Sequence, residues 1–185
     1  MSNSYHRKKQ PEQIRRALLD NAARIAGEQG LAKVTLEAVA RASSVTKGGL
    51  LHHFPNKNML LSALFEDLIE QLDRVVDEKM DKDPVEHGRF TRAYVEISIE
   101  DENDKASYLL TPLWALILSE SGVTWTKWLE RRLDIHKESD SSPMLEVVRL
   151  AADGAFFAFS TQSNNSHSSD SISLRGRLIE LTYHQ

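Results

Sequence analysis

Hydrophobic residues recur at helical spacing from one end of the chain to the other and predict an all-α protein. Pro11 opens the first helix, where Ile14, Leu18, Ala22 and Ile25 form one stripe and Gly30 marks the end. Two short helices follow, with Leu36, Val39 and Ala40 inward on one and Leu50 and Phe54 on the other. A long helix runs from Asn56 towards Met80, carrying Leu60, Leu64, Leu68 and Leu72 at four-residue spacing, until Asp81-Lys82-Asp83-Pro84 breaks it. Phe90, Ala93, Tyr94 and Ile97 then share a face, and the acidic run Glu100 to Asp104 reads as a loop. Leu109 to Leu118 is apolar nearly all round, with Thr111-Pro112 at a helix start or kink, so it belongs inside a core. Gly122 separates it from a helix bearing Trp125, Trp128, Leu129 and Leu133, and Glu138 to Pro143 reads as another loop. Residues 143–162 interleave Val147, Leu150, Ala151, Gly154, Ala155 and Ala158 with three phenylalanines, small residues that permit close helix approach. A polar loop from Gln162 to Ser171 precedes a final helix from Ile172 to Tyr183.

The segment 34–60 says most about function. Thr35 is an N-cap with Glu37 in the first turn, and Val34 and Val39 are spaced as a hydrophobic staple. Ala42 to Val45 interrupts the pattern, Thr46 caps the next helix, and Val45 and Leu50 repeat the staple. Proline at 55 disfavours helical geometry in Phe54 and ends that helix, after which Asn56 caps another. Two short helices across a tight turn make the layout of a helix-turn-helix that reads DNA. Gly48 and Gly49 each cost such a helix about 1 kcal/mol relative to alanine. Either they only mark a turn, or the helix needs bare backbone to approach phosphates and base edges.

The run Thr46-Lys47-Gly48-Gly49-Leu50-Leu51-His52-His53-Phe54-Pro55-Asn56-Lys57 closely resembles the recognition-helix signature of the tetracycline-repressor (TetR) family of transcriptional regulators. The helix from Ile14 to Gly30 and the link to Thr35 resemble that family's N-terminal domain, and the likeness is specific over about residues 11 to 68. Position 51 departs from it: the family often has a phosphate-touching tyrosine there, so Leu51 either packs inward or meets a thymine methyl. The resemblance also implies that the last two helices form a four-helix dimer interface with their copies. The run Arg149 to Gly154 looks like an element of one subgroup's C-terminal domain.

Charge changes the picture once the chain is divided. Residues 1–58 carry ten Lys or Arg against four Asp or Glu, a net +6, and the remainder thirteen against twenty-three, a net −10. A basic head on an acidic body suits approach to a polyanion in one orientation. His6-Arg7-Lys8-Lys9 is either an arm along phosphates or a minor groove, or a disordered tail. The expected domains are a flexible basic arm at 1–10, a DNA-binding domain at 11–55 and a ligand-binding and dimerisation body at 56–185, with 56–80 as the connecting helix. The chain has no cysteine, which excludes disulfides and cysteine zinc sites. It also lacks a signal-peptide pattern and a membrane-spanning run, so a cytoplasmic protein is expected.

Candidate DNA contacts combine geometry with the resemblance. Thr35 and Thr46 place hydroxyls at helix starts, Lys47, Gly48 and Gly49 open the reading helix, Leu51 lies within it and Lys57 follows the next cap. His52 lies about 200° from Leu50 and points outward, whereas His53 lies about 60° from the buried stripe and reads as partly buried. Adjacent histidines diverge by about 100°, and no third ligand has zinc-like spacing, so no metal is expected. In the body, Phe90, Tyr94, Trp114, Trp125, Trp128 and Phe157 either line a pocket for a hydrophobic or aromatic effector or fill the core. Glu96 and Asp153 are carboxylates in apolar company, suited to a cationic effector or held by local hydrogen bonds.

Phosphate loops, His-Glu-x-x-His and Gly-x-Ser-x-Gly are all absent, so neither an enzyme nor a cofactor is expected. The sequence points to a homodimer, joined through 143–162 and 172–183, that represses from a palindromic operator on double-stranded DNA and is released by a small molecule. An activator or ligand-independent regulator is the alternative, and a protein-binding adaptor a more distant one.

Overall fold

The computed structural model describes residues 3–99, 112–113, 116–117, 122–160 and 168–183, and every regular element among them is helical. The helices are α1 (Asn3–Gln29), α2 (Leu36–Ala42), α3 (Lys47–His53), α4 (Lys57–Lys82), α5 (Arg89–Ser98), α6 (Gly122–Ile135), α7 (Lys137–Asp140), α8 (Pro143–Ser160) and α9 (Ser168–Leu181). A 3-10 turn, Leu31–Lys33, joins α1 to α2. The chain divides into two compact units, Met1–Glu70 with Thr111–Gly122 and Gln71–Leu110 with Val123–Gln185. The expected Trp114 and the acidic loop from Glu100 lie outside the described residues, as do residues 161–167.

The first unit is organised by the stripes read from the sequence. Leu18, Ala22 and Ile25 of α1 are buried with Val39, Leu50, Phe54, Leu60, Leu64 and Leu68, while Ile14 is half-buried. Packing of α1 on α2 and of α2 on α3 makes the three-helix head. Arg16 ties α1 to α4, donating to Asp67 and, at 2.8 Å through Nε, to Asp20. One element differs from expectation. The helix begins at Asn3 and runs through Pro11, so the segment read as a flexible arm is helical from Asn3 onward. Pro11 forgoes the bond its nitrogen would donate and crowds the carbonyl four residues earlier, a cost the helix carries there, while Arg7, Lys8, Lys9 and Gln10 are good helix formers.

In the second unit α5 is the central element. Phe90, Ala93, Tyr94, Val95 and Ile97 are all buried, and the helix packs against α7, α8 and α9. Gly88 caps it at φ +71°, where a Cβ would lie 3.1 Å from Arg92 Nη1 and 3.3 Å from the Thr182 carbonyl oxygen. The stretch read as a loop from Glu138 to Pro143 instead holds the helical turn α7, and Pro143 is the first residue of α8. Proline suits that position because its missing N–H would have had no partner there.

The α7 turn exists to present Asp140, which is fully buried. Its Oδ1 accepts from Thr91 N at 2.8 Å and Thr91 Oγ1 at 2.7 Å, and its Oδ2 from Phe90 N at 3.3 Å and Ser139 Oγ at 2.7 Å. The carboxylate thus satisfies the open N–H groups at the start of α5. Arg149 completes the cluster, donating to Thr91 Oγ1 at 2.6 Å and to the Asp140 carbonyl at 3.2 Å. Nearby, Arg92 donates to Asp83 Oδ2 at 2.6 Å, the His87 carbonyl at 2.7 Å and Thr182 Oγ1 at 3.2 Å, and its guanidinium lies 4.6 Å from the Tyr183 ring centroid.

Candidate nucleic-acid interface

Three caps build the head's exposed edge. Thr35 Oγ1 accepts from Ala38 N at 3.1 Å, Thr46 Oγ1 from Gly49 N at 3.1 Å, and Asn56 Oδ1 from Met59 N at 2.9 Å. Each is the side-chain cap expected from the local sequence, and each fixes where a helix begins. The turn between α2 and α3 requires Ser44 at φ 56°, a left-handed conformation unusual for a residue with a Cβ. Asn21 Nδ2 braces that turn from α1, donating to Ser43 Oγ at 3.2 Å, while Ser43 Oγ donates to the Ala17 carbonyl at 3.2 Å.

Of the residues proposed to touch DNA, Thr35 lies at the start of α2, Thr46 to Gly49 at the start of α3, Leu51 and His52 in the last turn of α3 and Lys57 at the start of α4. Thr35, Thr46, Lys47, Gly48, Gly49, Leu51 and His52 are exposed, and Lys57 is half-buried. Leu51, where packing or a thymine methyl were alternatives, is 36% exposed, which leaves it available to a base edge. Leu50, one residue earlier, is fully buried and anchors the helix behind that face. His52 is outward and His53 half-buried, with ring centroids 5.6 Å apart. Desolvation, assisted by His52 and Arg15, holds the His53 pKa below the ordinary histidine value. Gly48 is open: an added Cβ would meet nothing nearer than Thr46 Oγ1 at 4.0 Å, whereas at Gly49 the same atom lies 3.3 Å away. Folding alone therefore does not require glycine at 48.

Lys47 does not stand alone. Its Nζ donates to Glu37 Oε1 at 2.5 Å, joining the first turns of α2 and α3 across the edge. This hydrogen bond is the main reason the Glu37 carboxyl titrates below its usual range. Sequence reasoning placed Glu37 only as a helix-dipole partner. The pair is ten residues apart, a separation that no helical spacing rule joins.

The body's aromatic residues pack on one another. Ring centroids are 6.0 Å apart for Phe90 and Tyr94, 6.4 Å for Tyr94 and Trp125, 6.5 Å for Phe90 and Trp128, and 4.7 Å for Trp125 and Trp128. Tyr94 Oη donates to Asp153 Oδ1 at 2.6 Å, and Trp128 Nε1 to Asp73 Oδ1 at 2.6 Å. Burial raises the pKa of both Tyr94 and Asp153. Glu96 accepts from Lys79 Nζ at 3.1 Å and faces Arg175 at 3.6 Å. Phe157 is 60% exposed on α8, on a face that also bears Val147 and Leu150, at 57% and 63%. The sequence, apolar nearly all along 143–160, did not say which side of α8 faced the core.

Among the described residues, no group of three His, Asp or Glu is arranged to hold a metal, and no helix is long and apolar enough to cross a membrane.

Comparison with known proteins gives this geometry a family. Residues 18–64 match the family described as bacterial regulatory proteins, tetR family. Residues 88–183 match the tetracyclin repressor-like C-terminal domain. The Transposon Tn10 TetC protein of Escherichia coli is 30% identical over 81 residues, 44% of this chain and 41% of that protein. The HTH-type transcriptional regulator AcrR of Shigella flexneri is 34% identical over 59 residues, 32% of this chain and 27% of that protein. The chain thus aligns with less than half the length of these curated relatives. Similarity of fold extends further. A TetR-family regulator from Rhodococcus sp. superposes with a TM-score of 0.69 at 16% identity, covering 92% of this chain and 98% of that one. The multidrug binding protein EbrR, solved with malachite green, gives 0.65 at 18% identity over 89% of this chain and 96% of that one. With one family match across the reading head and another across more than half the chain, the protein belongs to the TetR family of transcriptional regulators, which act by binding DNA rather than by catalysis.

Proposed function

We propose that the chain is a cytoplasmic repressor that occupies a palindromic operator as a homodimer and leaves it when a hydrophobic or aromatic small molecule binds the body. The observation that carries the reading is the capped edge of the head. Thr35 and Thr46 set hydroxyls and N–H groups beside Lys47 and the bare backbone of Gly48, all exposed on one short stretch. Phosphates suit the caps and lysines, and base edges suit Gly49, Leu51 and His52. Lys57 extends the phosphate track at the start of α4.

A two-fold dimer follows from the reach of the reading helix. Only seven residues long, α3 reads few base pairs, and a second copy doubles the contacts on a palindrome. The apolar face of α8 supports that reading: Val147, Leu150 and Phe157 are exposed, and a Cβ on Gly154 would meet nothing within 4 Å. Leu181 and Tyr183 add apolar surface at the end of α9, so 143–162 and 172–183 form the proposed interface. Release requires an effector that binds better to a state in which the paired reading helices are wrongly spaced. The aromatic cluster around Tyr94 and Trp125 supports an aromatic effector, and the EbrR complex with malachite green shows a protein of this fold holding such a molecule.

The test is selection of bound fragments from random duplex DNA at a fixed salt concentration, followed by a screen of aromatic compounds for thermal shift and operator release. A palindrome and one compound that does both are expected. Selection without enrichment rejects the reader, and enrichment without any releasing compound leaves a ligand-independent regulator in its place.

A further inference from the structure

The edge that should meet a polyanion carries a carboxylate. Glu37 and Lys47 are both strongly exposed, with side-chain accessibilities of 63% and 59%, yet their charged atoms are 2.5 Å apart. No buried charge requires this contact, and an exposed pair of this kind changes an equilibrium by only about five-fold at most. A plain DNA-binding surface gains nothing from it. Glu37 occupies the lysine nearest the start of the reading helix.

We infer that Glu37 is a specificity-determining residue that acts by withholding Lys47 from phosphates until the operator is engaged; the inference rests on Lys47 being a DNA contact. On random DNA, affinity comes almost wholly from cations displacing counterions at phosphates. A phosphate must there compete with a carboxylate already bonded to Lys47, and while that pair stays closed the lysine contributes no counterion release. On the operator, base-edge contacts fix the register, and each good one changes affinity more than an exposed ion pair does. That surplus opens the pair, and Lys47 exchanges the carboxylate for its DNA ligand. Glu37 therefore lowers binding to random sequence by more than it lowers binding to the operator. No other contact to DNA changes. The carboxylate can be held there without cost to the fold because it lies in the first turn of α2, where the helix dipole favours it and the cap at Thr35 is undisturbed.

The salt dependence of binding exposes the exchange. Fluorescence anisotropy of full-length wild type, Glu37→Gln, Lys47→Met and the double variant would be followed from low to moderate salt on two duplexes, the selected palindrome and a scrambled sequence. Glu37→Gln should steepen the slope of log K against log salt on scrambled DNA by about 0.9 per protomer. It should leave the operator slope unchanged and reduce the operator-to-scrambled affinity ratio about two- to five-fold. Lys47→Met should flatten the operator slope by the same 0.9 and leave the scrambled slope unmoved. The double variant should match Lys47→Met on both duplexes, which shows that Glu37 acts through Lys47. If Lys47→Met flattens both slopes equally and Glu37→Gln alters neither, the pair is open on all DNA and the inference is overturned. If Lys47→Met changes no slope on either duplex, Lys47 is not a DNA contact, and the underlying assignment fails instead. Thermal melts of each variant confirm that slopes are compared between folded proteins.

Discussion

Gly48→Ala separates what the fold needs at the reading helix from what DNA needs. In the free protein the new methyl meets nothing closer than Thr46 Oγ1, at 4.0 Å, and residue 48 already has helical geometry. Alanine should then stabilise the head by about 0.5 to 1 kcal/mol, the usual advantage over glycine inside a helix. For a unit of this size that is a rise of a few degrees in melting temperature. DNA affinity should move the other way. If the start of α3 lies against the operator, a methyl there holds the backbone off its contacts, and the loss should be about 1 to 3 kcal/mol per protomer, the size of one base contact. The two quantities are read by thermal melting and by anisotropy on the selected operator at one salt concentration. Gly49→Ala serves as the contrast, since its methyl would press on the Thr46 cap from 3.3 Å and should forfeit much of the stability gain. A more stable Gly48→Ala protein with undiminished operator affinity would refute the idea that bare backbone at position 48 serves DNA approach.

Asp140→Ala should destabilise the second unit by about 3 to 5 kcal/mol, because it strands two buried N–H groups of α5 and removes a charge beside Arg149. A urea midpoint within about 1 kcal/mol of wild type, at equal protomer concentration, would mean that those donors find other partners. Ser44→Gly should gain about 0.5 to 1 kcal/mol by relieving the left-handed backbone of the turn, and an unchanged melt would deny that the turn is strained. Leu150→Glu places a charge on the exposed apolar face of α8 and should shift sedimentation from dimer towards monomer; an intact dimer would move the interface elsewhere. Burial, aided by Arg132, depresses the His136 pKa, so the unfolded chain binds more protons just below the ordinary value of 6.5. Stability should fall as pH drops through that range, and His136→Gln should flatten the fall; an identical pH slope in the variant would reject His136 as its source.

Local chemistry was legible in the sequence, and distant chemistry was not. Thr35, Thr46 and Asn56 could be assigned because a cap's donor lies three residues away and the residue types are few. The stripes of α1, α4 and α5 followed from spacing alone. Asp140 escaped because its acceptor role depends on Phe90 and Thr91, fifty and forty-nine positions away, and its own neighbourhood reads as a polar loop. The exposure of Phe157 was hidden for a related reason. Both faces of α8 are apolar, and the packing of α5 and α9 decides which one is buried.

The contacts of Arg92 bear on how this chain can change over generations. Its guanidinium joins Asp83, the carbonyl of His87 and, ninety positions along the chain, the hydroxyl of Thr182, in one cluster around Gly88. Loss of the Asp83 carboxylate or the Thr182 hydroxyl leaves a buried cation short of a partner, and a side chain on Gly88 would crowd that cation, so single replacements there should be disfavoured in any lineage that keeps the others. Asp83, Gly88, Arg92 and Thr182 should accordingly be inherited or exchanged as a set, with drift at one position legible as compensating drift at the rest.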